Sequence, residues 1–176
     1  SDVYKRQGLG RALAQQYAAS GATLGLLGRR EDALRELAAS LPGEHRCYAV
    51  DVRDRAALHA AAADFIAFCQ GRVDVVIASA GISAGTLTEH GEDYDVFKAI
   101  VDTNLLATVA TFEPFVGAMR AAGAGRLVGI ASVAGVRGLP GAGAYSASKS
   151  AVVTYCESLR LELAADGIRV VTIAPG

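Results

Sequence analysis

From residue 8 to its end, the chain alternates short apolar runs with stretches of helical spacing. Leu9, Leu13 and Tyr17 recur at helical intervals, and Gly21 stands where such a helix would stop. An apolar run over residues 23–27 follows, then Leu34, Leu37 and Leu41 at helical spacing with Pro42 and Gly43 behind them. Residues 46–50 predict a second strand, and Asp54 a cap for an alanine-rich helix reaching about Gln70. Residues 73–78 predict a third strand. After a polar loop over residues 82–92 comes a helix bearing Tyr94, Phe97, Ile100 and Val101, and then a separate, longer helix around Asn104. A fourth strand spans residues 125–132. A further helix carries Val152, Tyr155, Leu159 and Leu163, and a fifth strand spans residues 169–173.

These strands are apolar throughout rather than alternating. Such strands belong to a parallel sheet covered on both faces, joined by helical crossovers. The predicted fold is therefore α/β, a Rossmann-type doubly wound parallel sheet in three layers. Ligands of such sheets lie at the carboxyl ends of the strands. Gly28, Arg29, Asp51, residues 79–81 and Ser132 each follow a strand and line that edge, together with Gly8 and Gly10.

Composition agrees with a packed domain. Of 176 residues, 52% are hydrophobic, glycine is abundant and tryptophan absent. The formal charge of −1, with acids and bases interspersed, argues against nucleic acid as a partner. No apolar run is long enough to span a bilayer. Cys47, Cys69 and Cys156 are odd in number and far apart, which fits reduced thiols in the cytoplasm. His45, His59 and His90 share no metal-ligand spacing and are expected at the surface, so no metal site is predicted.

Three stretches carry chemistry. Gly8, Leu9 and Gly10 open a helix, where free N–H groups and the positive end of the dipole suit a phosphate. Tyr145 and Lys149 are four apart, on one helix face. An ammonium beside a phenol favours the phenolate, making the tyrosine a tuned acid/base. Arg29 and Arg30 follow the first apolar run, where an acidic residue would bind a ribose 2′-hydroxyl and an arginine suits a 2′-phosphate. The plainer readings are surface pairing of both arginines with Glu31 and Asp32, a cap at the long helix for Asn104, a strand-end cap for Ser132, and a turn cap for Asp51.

In their order these motifs resemble the short-chain dehydrogenase/reductase family in its simple single-domain branch. They are the Gly8–Gly10 turn, Asp51 with Val52, Ala80 with Gly81, Asn104, Ser132, Tyr145 with Lys149, and Pro175 with Gly176. The resemblance implies an oxidoreductase moving hydride between NAD(P)(H) and a ketone or secondary alcohol, with NADP(H) preferred on the arginine argument. It implies that Tyr145 is the general acid/base and that Lys149 lowers its pKa and binds the nicotinamide ribose. Ser132 holds the substrate oxygen, and Asn104 supports a water linking Lys149 to solvent. It further implies that Asp51 and Val52 meet the adenine, Ala80 and Gly81 the ribose, and Pro175 and Gly176 the nicotinamide. A homodimer or homotetramer is the family's habit. Ser79 departs from the family's usual Asn-Asn-Ala-Gly at that point.

Two alternatives are epimerase or dehydratase chemistry on the same Tyr–Lys pair, and a non-catalytic NADP(H) sensor. The residues shaping the substrate pocket, 82–92 and 136–142, favour an uncharged or hydrophobic ketone. Residues 1–7 do not resemble the apolar strand that precedes the glycine turn in the family. They are expected to be a non-native leader to a partial dinucleotide-binding domain over residues 8–176. Without that central strand, the remaining strands are expected to fall into two groups, and the chain to be an unstable or inactive fragment.

Overall fold

The computed structural model describes residues 8–176; the leader expected at residues 1–7 lies outside the described residues. The strands are β1 (Gly25–Gly28), β2 (Arg46–Ala49), β3 (Val75–Ala78), β4 (Gly125–Ile130) and β5 (Ile168–Ile173). The helices between them are α1 (Leu9–Ala19), α2 (Glu31–Ala39), α3 (Arg55–Phe68), α4 (Asp93–Val101), α5 (Ala107–Ala122) and α6 (Gly143–Glu162).

Every pairing is parallel. Among the described residues the strands form two sheets, β1–β2 and β3–β4–β5, which is the grouping expected from the sequence. Gly28 pairs with Ala49, Ala78 with Gly129, and Ile130 with Ile173, so the strands of each sheet end level and their carboxyl ends make a common edge. Leu127, Val128, Gly129 and Ile130 of β4 are all buried. Successive strand residues point to opposite faces, so both faces of this sheet are covered.

Ile100, Phe112, Met119, Leu127, Val152 and Cys156 are among the core residues with at most 1% exposure. The Phe112 ring on α5 stacks on Tyr155 of α6, centroids 6.4 Å apart. α3 begins as expected, with the Asp54 carboxylate accepting from Ala57 N at 3.0 Å. Gly167 turns the chain from α6 into β5 at φ 73°, and a Cβ there would run into the Gly123 carbonyl. Only glycine meets both demands.

Two expectations need correction. The separate helix around Asn104 is instead continuous with α4: a π-turn, Asp102–Leu106, joins α4 to α5 without a break. Asn104 thus lies inside the helix and caps nothing. His45 is half-buried rather than a plain surface residue. Its Nδ1 accepts from Leu24 N at 3.2 Å, and Nε2 then donates to the Pro42 carbonyl at 3.1 Å. This clamps the turn before β2 to the start of β1.

Candidate active site

The α6 helix places Tyr145 and Lys149 one turn apart, with Nζ 5.8 Å from the Tyr145 ring centroid. Tyr145 is half-buried and Lys149 is 5% exposed. The ammonium donates to the Ile130 carbonyl, the last of β4, at 2.7 Å. Burial pushes its pKa below the usual lysine value.

Ser132 stands two residues past β4 in extended backbone and begins a 3₁₀ turn, Val133–Gly135. Its hydroxyl accepts from Ala134 N at 3.2 Å, so the expected cap exists. The turn is pressed against α6 at Gly135, where a Cβ would sit 2.7 Å from the Lys149 carbonyl carbon. Beside it, Val133 N donates to the Pro175 carbonyl at 3.1 Å. Ser132, Lys149 and Pro175 are thereby drawn to one place.

Asn104 is 1% exposed inside the π-turn. Its Oδ1 accepts from Ile82 N at 2.8 Å, while Nδ2 donates to the Ile82 carbonyl at 3.0 Å and to Ser148 Oγ at 3.0 Å. The Asn104 carbonyl itself accepts from the Thr108 hydroxyl at 2.9 Å. A π-turn inserts one residue into the helical ladder, a device frequent at functional sites. Here it lets an amide reach from one helix into the loop after β3 and on to α6. A Cβ on Gly81 would lie 3.4 Å from both Asn104 Oδ1 and Lys149 Nζ.

The rest of the edge suits a dinucleotide. Gly8 at the head of α1 supplies no side-chain cap, the first turn holds no acid, and Arg11 N is taken by the Gly8 carbonyl, so among the described residues the N–H groups of Leu9 and Gly10 are left for an anion. A Cβ on Gly10 would sit 3.2 Å from Ser79 Oγ, which places the glycine turn beside the end of β3. Leu9, Ala80, Gly81 and Gly176 are exposed along this edge. Among the described residues Arg29 and Arg30 form no ion pair; Glu31 is taken by Arg35 at 2.6 Å. These features fit a nicotinamide dinucleotide at this edge.

Asp51 is less open than expected. Both its oxygens are held by the Arg53 guanidinium, at 2.6 Å to Nη2 and 3.0 Å to Nε, and Arg53 N donates to it as well. Those bonds, helped by the charges of Arg53 and Arg29, pull its pKa down to about 2. Next to it Val52 lines a cavity of about 340 Å³ with Arg53, Arg55, Asp102, Leu106, Ala107 and Ala110.

Sequence reasoning missed Ser148, the Ile82 backbone, the Ile130 carbonyl and Gly135. Ser148 had a signal: a small polar residue inside the Tyr–Lys turn, on a helix interior where alanine is the better former. The backbone partners had none. Among the described residues no group of three potential metal ligands is assembled, and no helix is long and apolar enough to cross a membrane.

The family model described as short chain dehydrogenase matches residues 5–176. Over 168 residues the chain is 39% identical to 2-dehydro-3-deoxy-L-rhamnonate dehydrogenase (NAD(+)) of a Sphingomonas species, covering 96% of this chain and 67% of that one. A short-chain dehydrogenase from Streptomyces avermitilis superposes with a TM-score of 0.89 at 32% identity, over 97% of this chain and 62% of that one. A metagenomic short-chain oxidoreductase in complex with NADP reaches 0.90 at 30% identity, over 97% and 78%. The chain thus spans about two thirds of the length of these proteins.

Proposed function

Since the chain belongs to the short-chain dehydrogenase family of NAD(P)-dependent oxidoreductases, we propose that it interconverts a ketone and a secondary alcohol with Tyr145 as general acid/base. The observation that carries this reading is Lys149, a buried ammonium set one turn from the phenol and against the Ser132 turn. The bound nicotinamide supplies or accepts the hydride.

The protein's own part is placement and proton transfer. Ser132 Oγ holds the substrate oxygen. Tyr145 gives that oxygen a proton in reduction and removes it in oxidation. The Lys149 ammonium stands one turn away, its positive charge favouring the phenolate over the phenol. Asn104 keeps the loop after β3 closed over this group and supports a water connecting Lys149 to solvent.

The cofactor we assign is NADP(H) ahead of NAD(H). Among the described residues Arg29, which follows β1, forms no ion pair, and a guanidinium suits a 2′-phosphate in charge and shape. Asp51 and Val52 take the adenine side, with Arg53 swinging off the carboxylate. Gly8, Leu9 and Gly10 take the pyrophosphate, Ala80 and Gly81 the ribose, and Pro175 and Gly176 the nicotinamide. The substrate class is an uncharged or hydrophobic ketone. Leu87, Val133, Val136 and Leu139 expose apolar surface. The loops bearing Leu87 and Leu139 are joined where Thr86 N meets the Gly141 carbonyl at 2.9 Å.

Turnover of a ketone panel by the full-length protein with NADPH and NADH tests the whole reading. Tyr145→Phe is expected to cut kcat by roughly 10²–10⁴-fold while NADPH still binds. Cofactor binding without turnover by the parent protein would point to a sensor instead. A kcat/KM favouring NADH, or one that Arg29→Ala leaves unchanged for NADPH, would sink the cofactor assignment.

A further inference from the structure

One buried hydroxyl joins the elements on which the proposed chemistry depends. Ser148 precedes Lys149 on α6 and is 1% exposed. It donates to the Tyr145 carbonyl at 2.8 Å and accepts from Asn104 Nδ2 at 3.0 Å. A hydroxyl has one proton and spare lone pairs, so both bonds form together. Helix stability gives no reason for a serine here. Alanine has the higher propensity, and a back-bonded hydroxyl is neutral or slightly unfavourable.

Asn104 is what Ser148 holds in place. Two bonds close its amide on the Ile82 backbone, and the third goes to Ser148. The amide carbonyl end is thereby held at Gly81, on the side where Lys149 Nζ also lies. Both atoms are 3.4 Å from the position of a Gly81 side chain. A carbonyl dipole so placed favours the charged lysine against its burial. The ammonium in turn favours the phenolate of Tyr145.

We propose that Ser148 is a positioning residue: it sets the register between the π-turn and α6, and with it the electrostatic field that Lys149 and Tyr145 share. This rests on the reading of Tyr145 as the acid/base. Losing the hydroxyl leaves one Asn104 amide proton unpaired in a buried site, with the amide held by its two Ile82 bonds alone and no longer tied to α6. The field that Lys149 presents to Tyr145 then weakens.

The test is the pH profile of kcat for alcohol oxidation by the full chain with NADP⁺, alongside NADPH binding by fluorescence. Ser148→Ala is expected to lower kcat about tenfold and move the pH midpoint up by about half a unit or more. NADPH affinity is expected to stay within about twofold of the parent, because the Ser148 hydroxyl bonds the Tyr145 carbonyl and Asn104 and not a side chain assigned to the cofactor. Ser148→Thr keeps the hydroxyl and is expected to restore the midpoint. Ser148→Cys, of similar size with a weak donor, is expected to fall between, and it stands in for the alanine variant if that one does not fold. An unmoved midpoint in the alanine or cysteine variant overturns the proposal, whatever happens to kcat. Tyr145→Phe separates the two failures. If it keeps turnover, the acid/base reading itself falls. If it is inactive while the Ser148 variants keep the parent midpoint, only the role of Ser148 falls.

Discussion

Lys149 holds the sharpest conflict in the molecule, a charge kept in a site that disfavours charge. Its spacing from Tyr145 was legible, because a four-residue interval on a helix needs no tertiary information. Its acceptor was not, because the Ile130 carbonyl reaches it only when β4 ends beside this turn of α6. Burial sets the folded pKa of Lys149 below the 10.5 of an unperturbed lysine. Between those two values the unfolded chain binds more protons than the folded one, so stability rises with pH across that window. Lys149→Met removes this dependence. The parent is therefore expected to gain stability relative to the variant as pH rises toward 10.5, the unperturbed lysine value. Urea midpoints of both proteins at several pH values measure it, and parallel curves would show that burial costs the ammonium nothing.

At the scale of elements, the site depends on two close approaches. Gly135 lets the Ser132 turn rest on the backbone of α6, and the π-turn aims Asn104 across to the same helix. Gly135→Ala forces the turn away from Lys149, since the atoms met are backbone and cannot yield by changing a rotamer. An overpacked contact of this kind costs about 1–3 kcal/mol. A shift of Ser132 by about 1 Å costs on the order of 100-fold in rate. The expected result is a modest fall in Tm with a much larger fall in kcat; a proportionate loss of both would mean the turn does not position Ser132. The helices and strands were legible from their periodicity, as was the cap at Asp54. The π-turn was not. Slipping the hydrogen-bond ladder by one residue leaves the apolar spacing on either side intact, and the sequence therefore suggested two helices where one continuous run exists.

The whole molecule divides its stability unevenly. β4 is paired on both sides and buried along its last four residues, whereas β1 and β2 pair with each other and have partly exposed faces. Opening free energies follow burial and pairing. Amides of residues 127–130 are expected to exchange slowest, and those of β1 and β2 at least about tenfold faster. Hydrogen exchange followed by mass spectrometry reads this directly, and equal protection of the two sheets would contradict it. The sheet bearing Ser132 and the acceptor of Lys149 is thus the rigid one, while the sheet bearing Arg29 and Asp51 is the more pliable. Such a division leaves the proposed adenine end free to adapt while the proposed reacting groups stay in register.

By itself the sequence determined the strands, most of the helices, their parallel arrangement and the Tyr145–Lys149 spacing. Each of these follows from periodicity and local spacing, which act between neighbours in the chain. Tertiary structure alone decided that Ser148 bridges two helices, that Arg53 occupies Asp51, that Gly135 is the contact point of the Ser132 turn, and that Ile130 receives the lysine. These contacts join residues far apart in sequence, and a hydrogen bond or a close approach is set by distances of a few tenths of an ångström that no spacing rule encodes.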